Sequence, residues 1–268
     1  MKVYKALVAV ALVMALAGCA DLDNGDKVED SGGTKDTAAS STTLTKDNFA
    51  DVIAAAQKRA KTSHVTMAVS GSGQEIKAEG DVVTGDTPAE SAMTMTMDLR
   101  AAAGGQVTEM RLVEEVFYMR MGEMIDNKFA KIDLNDESDP LARQYGDMMA
   151  QIDPSKNMEM IRDAIRSFKK KGDAIDIDDV LAQPYELVVD TAKFGDIAGG
   201  GGMAGVPKEM VMTMFIGEDN LPRRVTTKFS GQTIRMDYSK WGESVKIEAP
   251  PASDITDKSP LDQMAPAA

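Results

Sequence analysis

Apolar and polar positions along this chain fall into three regimes. Residues 6–17 form a continuous apolar run, whereas residues 20–43 are rich in Asp, Gly, Ser and Thr and almost free of large apolar side chains. From Thr45 onward the pattern becomes periodic. Residues 46–61 carry Phe49, Val52, Ile53, Ala56 and Ala60 at helical spacing, with Thr45 in the N-cap position. Alternation of period two follows. Val65, Met67 and Val69 alternate with Thr66, Ala68 and Ser70, and Met93, Met95, Met97 and Leu99 alternate with Thr94, Thr96, Asp98 and Arg100. After a turn near Glu114-Glu115, Phe117, Met119 and Met121 form a further row. Between Asp139 and Lys171 the spacing becomes helical again. Met148, Ile152, Met158, Ile161, Ile165 and Phe168 supply the stripes, and Asp153-Pro154 separates two helices. Strand character returns over 185–190. It resumes beyond a glycine loop at 199–202 in three strands around 210–216, 223–229 and 233–238. Residues 217–220 and Ser230-Gly231 supply the turns between them. Many antiparallel strands with few helices predict an α+β protein, a large curved antiparallel sheet with helices packed on it.

The first apolar run is too short to span a bilayer as a helix. Lys2 and Lys5 precede it and Leu16-Ala17-Gly18-Cys19 closes it, giving the charged, apolar and small-residue segments of an export signal. An ordinary secretory signal would end in Ala-x-Ala and has no use for a cysteine at the junction. The run resembles a bacterial lipobox. That resemblance implies removal of residues 1–18 and lipid attachment at Cys19, the sole cysteine of the chain. Each buried methylene contributes about 0.8 kcal/mol, so two or three acyl chains hold a protein on a membrane where one does not. Residues 19–44 are then the lipidated cysteine and a flexible tether, 45–251 the folded domain, and 252–268 a disordered tail containing Pro260 and Pro266. The expected location is the extracytoplasmic face of the cell membrane, held there by the lipid anchor.

Charge and composition narrow the chemistry. The formal charge is −13, and loss of Lys2 and Lys5 with the signal makes the mature chain two units more negative. Such a chain is repelled by nucleic acid and by anionic headgroups. Beyond Cys19 no thiol exists for a disulfide or a thiolate metal cage. With His64 as the single histidine and no Gly-x-Ser-x-Gly elbow or phosphate-binding glycine loop, no catalytic residues and no cofactor are predicted. His64 itself reads as a satisfied surface histidine. Met-x-Met-x-Met rows are a possible thioether arrangement for Cu(I), but such sites recruit histidine as well, and a half-buried strand shows the same alternation. Asp133, Asn135, Glu137 and Asp139 have the odd spacing of a calcium loop. Ser138 stands where that loop needs glycine, and Gln144 where it needs its closing glutamate. Asp173, Asp176, Asp178 and Asp179 read as a solvated acidic turn. No metal site is predicted.

The methionines are the remaining signal. There are 20, and they cluster by face: Met93, Met95 and Met97; Met119 and Met121 beside Phe117; and Met210, Met212 and Met214. An unbranched, polarizable wall of this kind adapts to apolar ligands of varied shape, which makes these nine residues the candidates for lining a cavity. The same pattern suits an ordinary core between sheet and helix. Trp241, the sole tryptophan, reads as a plug at one end of the sheet.

Tyr238-Ser239-Lys240-Trp241-Gly242-Glu243, followed by Val245, Ile247 and Pro250-Pro251, resembles the C-terminal signature of the LppX/LprG-type actinobacterial lipoproteins. Residues 185–190, followed by Thr191-Ala192-Lys193, are similar to a strand and turn of that group. The resemblance spans about residues 45–251. It implies a LolA-like half-barrel, a bent antiparallel sheet with helices across its concave face. It also implies an acylated lipid or glycolipid held between sheet and helices, and exchange with an envelope transporter or acceptor protein. Some relatives are instead regulatory or sensing lipoproteins. The methionine abundance and the long glycine loop depart from the better-known members, so the alternative of a non-carrier interaction or sensor lipoprotein with a filled core stays open.

Overall fold

In the computed structural model the N-cap position of helix α1 (Phe49–Ala60) is held by Asn48, not Thr45, and the Asn48 side chain makes no cap bond to the helix. Thr45 contributes its backbone instead. Its N–H donates to Asn48 Oδ1 at 2.7 Å, and its carbonyl accepts from Phe49 N–H at 3.0 Å. Asp51 in the first turn and Lys58 and Arg59 in the last complement the helix dipole. Lys61, at φ 64°, ends the helix in the left-handed region and turns the chain directly into the first strand. The structure describes residues 43–71, 74–100, 105–136, 138, 142, 164–191, 193, 207–229 and 231–256. Cys19, the glycine loop at 199–202, and the helical stripe residues Met148, Ile152, Met158 and Ile161 lie outside them.

Two antiparallel meanders make up one sheet. The first holds β1 (Thr62–Gly71), β2 (Gln74–Val83), β3 (Ala92–Asp98), β4 (Val107–Val113), β5 (Val116–Arg120) and β6 (Phe129–Asp133). The second holds β7 (Ile165–Lys170), β8 (Ile175–Ile177), β9 (Val180–Asp190), β10 (Glu209–Gly217), β11 (Pro222–Phe229) and β12 (Gln232–Ser239). β1 and β12 join the meanders, giving the order β13-β6-β5-β4-β3-β2-β1-β12-β11-β10-β9-β7, with β8 also on β9. The two-residue β13 (Ile255–Thr256) pairs parallel with β6, and every other pairing is antiparallel. The open, curved antiparallel sheet is the predicted fold class. The expected turn at Glu114-Glu115 is present, with both residues at positive φ (51° and 60°), as a two-residue hairpin of primed type requires.

Three expectations are corrected. Ile165 and Phe168 belong to a strand, not a helix. A β-bulge between Ile165 and Ser167 sets Ile165 opposite Val189 and Phe168 opposite Leu187, so residues three apart share one face of a strand. Helical spacing here reports a bulge. Met121 falls just past the end of β5, where its carbonyl accepts from Gln106 Nε2. The segment expected as a tail from residue 252 begins with a short 3₁₀ turn and then β13, so ordered structure reaches Thr256. Residues 257–268 lie outside the described set.

α1 crosses the concave face. At its start the Phe49 ring stacks on Phe168 of β7, with centroids 4.7 Å apart, and Phe168 stacks in turn on Tyr185 of β9 at 4.8 Å. At its end the chain enters β1, where Gly242 N–H donates to Thr62 O at 3.1 Å. Phe49, Ala50, Ile53, Ala54, Ala56 and Gln57 form its buried face. Cross-strand register lines up what lies beneath. One row reads Tyr185, Met214, Val225, Met236, Met67, Ala78, Met97; another reads Tyr238, Val65, Gly80, Met95, Met110, Met119, Ala130. Gly80 is required in that second row. A Cβ there would lie 1.9 Å from the Thr94 carbonyl oxygen and 2.9 Å from Met95 Cα.

The convex face is treated differently on its two sides. Residues 241–256 lead away from the start of β1 towards β6, with Pro250 buried and Arg111 Nη1 donating to Glu248 O at 3.1 Å. Beside that contact Phe129 is buried, its ring faced by the guanidiniums of Arg120 at 4.7 Å and Arg111 at 5.1 Å. Elsewhere this face carries charge pairs. Arg224 Nε and Arg235 Nε both reach Asp237, at 2.5 and 2.6 Å.

Candidate apolar ligand site

The concave face collects most, though not all, of the nine candidate residues. Met95, Met97, Met210, Met212 and Met214 are buried, at 1–8% exposure, in one cluster with Phe49, Ala50 and Ile53 of α1. Met93, Met119 and Met121 are half-buried. Phe117 packs instead against a satellite cluster with Ile132, Ala142 and Leu134 near β6. Period two places each methionine row on one face, and the antiparallel registers bring rows from distant parts of the chain side by side. Met67 and Met236 sit between the β3 and β10 rows and extend the same wall. Met67 was legible as part of an alternating strand. Met236, in Thr233-Ile234-Arg235-Met236, carried the same alternation beside Ile234 and Tyr238.

Polar groups in this wall are few. Thr227 is buried, and its hydroxyl donates to Val211 O at 2.9 Å. Tyr238 is buried on the concave face, and among the described residues its hydroxyl meets only the Met236 sulfur, at 3.9 Å. Burial pushes its phenol well above the ordinary value. Trp241 stacks on Tyr238 at 6.0 Å and donates its Nε1–H to Pro222 O at 3.0 Å, closing this end of the sheet. Gln57 of α1 and Arg223 of β11 are buried polar side chains that sequence periodicity did not single out. Gln57 continues the spacing Phe49-Ile53-Gln57 down the buried face, and that was its only signal.

His64 lies on the opposite face, with Nδ1 2.7 Å from Oδ1 of its register partner Asp81. Among the described residues, no group of three or more His, Cys, Asp or Glu side chains is placed to hold a metal ion. Asp133 and Asp136 accept backbone N–H groups within their own turn, from Asn135 and Ser138. Asp173, Asp176, Asp178 and Asp179 are exposed around the β8–β9 hairpin. No described helix is long and apolar enough to cross a membrane.

Comparison with solved structures places this architecture. The lipoprotein LppX of Mycobacterium tuberculosis aligns over 76% of this chain and 98% of its own length, with a TM-score of 0.52 at 11% sequence identity. LprF of Mycobacterium bovis aligns over 76% of this chain and 97% of its own, at TM-score 0.48 and 14% identity. No protein-family model and no curated protein sequence matches. The chain therefore has the fold of the LppX-type lipoproteins, the group its C-terminal signature resembles. At these identities the likeness is one of fold.

Proposed function

We propose that this chain is an envelope lipoprotein, held by Cys19 on the extracytoplasmic face of the cell membrane, that binds an acylated lipid or another large apolar ligand and passes it on. The observation that carries the reading is the continuous methionine and aliphatic wall under α1, from Met97 through Met67, Met236 and Val225 to Met214. Acyl chains leaving a bilayer for such a surface stay out of water, so transfer requires partitioning and no bond chemistry. Methionine suits the task because its flexible thioether repacks around chains of differing shape. The shared fold with LppX, a lipoprotein, supports the envelope setting. Met93, Met95, Met97, Phe117, Met119, Met121, Met210, Met212 and Met214 are the proposed lining. An envelope transporter or acceptor protein would load or unload the domain.

The burial of Met95, Met212 and Met214 to 1–2% exposure favours a second reading, an interaction or sensor lipoprotein whose wall is filled by its own side chains. Native mass spectrometry of the Cys19→Ser chain, exported in a related host, separates the two. A reproducible added mass that extracts into organic solvent supports the carrier. A bare polypeptide that takes up no added lipid sinks it and leaves the sensor.

A further inference from the structure

Among the described residues, Met110 is the one strand methionine with a methionine directly opposite it on both sides. Met95 of β3 faces it across one pairing and Met119 of β5 across the other, and neither pairing contains a register shift. Every other described strand methionine has at most one such neighbour. Met67 and Met236 make a pair, while Met210, Met212 and Met214 have none.

Residues directly opposite each other across an antiparallel pair point to the same face. Met95 is 1% exposed in the core under α1, and Met110 packs against that core, which fixes the row on the concave side. Met110 and Met119 are half-buried. Neighbouring strands lie about 4.8 Å apart, so Met95 and Met119 flank Met110 over a total span of about 10 Å. A methionine side chain has three rotatable bonds, and on the inner side of a curved sheet the tips of such side chains converge. Three sulfurs can then meet above Met110. Met93, two residues before Met95 on the same face and also half-buried, stands beside the row.

A row of neutral sulfur donors, with no carboxylate or imidazole in it, selects a soft ion. The geometry points to a thioether site for Cu(I), with Met110 as the central ligand and Met95 and Met119 on its flanks. The histidine expected beside a copper site takes no part, since His64 lies on the other face, and three thioethers satisfy the low coordination number of Cu(I) without it. Zinc and calcium, which need thiolate, imidazole or oxygen donors, are not expected there. The ion keeps its positive charge among neutral ligands. Half-burial of Met110 and Met119 leaves it partly in contact with water, which limits the cost of holding that charge. The net charge of −13 favours a cation as well. The site does not rest on the carrier reading.

The test uses the full-length Cys19→Ser chain, which lacks any thiol, loaded anaerobically with Cu(I) under ascorbate and separately with Ag(I). Native mass spectrometry after buffer exchange is expected to show one retained ion. Carbon-13 labelling of the methionine methyls reads the ligands. The Met95, Met110 and Met119 resonances should shift with Ag(I) ahead of the other methionines, and Zn(II) should not move them. Met110→Leu keeps the volume and removes the central sulfur, so Cu(I) affinity should fall at least tenfold. Met119→Leu is expected to do the same, and it replaces the first variant if circular dichroism shows that one unfolded. Met212→Leu, buried with no methionine opposite, should stay within twofold. Failure to retain an ion overturns the site, as do first shifts at other methionines. Wild-type affinity in the Met110 and Met119 variants also overturns it. So does a loss in Met212→Leu as large as theirs, which would mark scattered binding by any thioether.

Discussion

Trp241 donates its indole N–H to the carbonyl oxygen of Pro222 at 3.0 Å, so a residue just beyond the last strand of the second meander fastens the start of β11. Its ring lies on Tyr238. Trp241→Phe keeps an aromatic surface for that stack but removes the donor and strands the carbonyl. The expected cost is about 1–2 kcal/mol, read as a lower urea midpoint by circular dichroism. An unchanged midpoint would mean that the bond is absent in solution.

Gly80→Ala is expected to be among the most damaging small substitutions in the sheet. The added methyl would overlap the backbone of Thr94 and Met95 on β3, and backbone cannot move aside as a flexible side chain can. A loss of about 3 kcal/mol or more follows. A thermal melt within a few degrees of wild type would show that β2 and β3 separate more easily than their register suggests.

Oxidation should rank the methionines by burial. Met93, Met119 and Met121 are half-buried, whereas Met95, Met97, Met210, Met212 and Met214 are buried. Sulfoxide needs access to the sulfur, so brief peroxide treatment should modify the first three ahead of the other five. Peptide mass mapping reads the order. Oxidation of Met212 or Met214 as fast as Met93 would reveal a concave face that opens readily.

The Tyr238 phenol makes the fold sensitive to alkali. Burial disfavours the phenolate, so the folded pKa is raised above its ordinary value of 10.0. A raised folded pKa means that the stabilisation is complete below the unfolded pKa and is lost as pH climbs above it. The urea midpoint should therefore fall as pH rises past about 10. Tyr238→Phe should flatten that fall at little cost near neutrality, because among the described residues the hydroxyl meets only the Met236 sulfur. A Tyr238→Phe chain that loses stability with alkali as steeply as wild type would contradict the assignment.

Much of this architecture was legible in the chain, and the failures have physical causes. Met93-Met95-Met97 and Met210-Met212-Met214 announced their strands because large apolar side chains alternated with polar ones. β2 gave no such signal. Two of its concave positions are the small Ala78 and Gly80, which stand opposite Met97 and Met95 of β3 and leave their side chains room. In β7 the bulge after Ile165 imitated a helical period. The meeting of Met67 with Met236 was invisible for another reason. The two stand 169 residues apart along the chain, and only the β1–β12 pairing sets them opposite each other. Periodicity reports which face a residue occupies. It does not report which distant residue shares that place.

The parallel pair between β13 and β6 has a bearing on the protein's lifetime. Ile255 and Thr256 lie against Phe129 and Ala130, occupying backbone positions on the outer side of β6. An uncovered strand margin recruits other chains by backbone bonding. A protease that trimmed the polypeptide back to Pro251 would leave the methionine wall untouched yet uncover that margin. Such a clipped molecule would keep its concave face but expose a strand edge to its own copies, so a few residues far from the methionines guard the sheet against self-association.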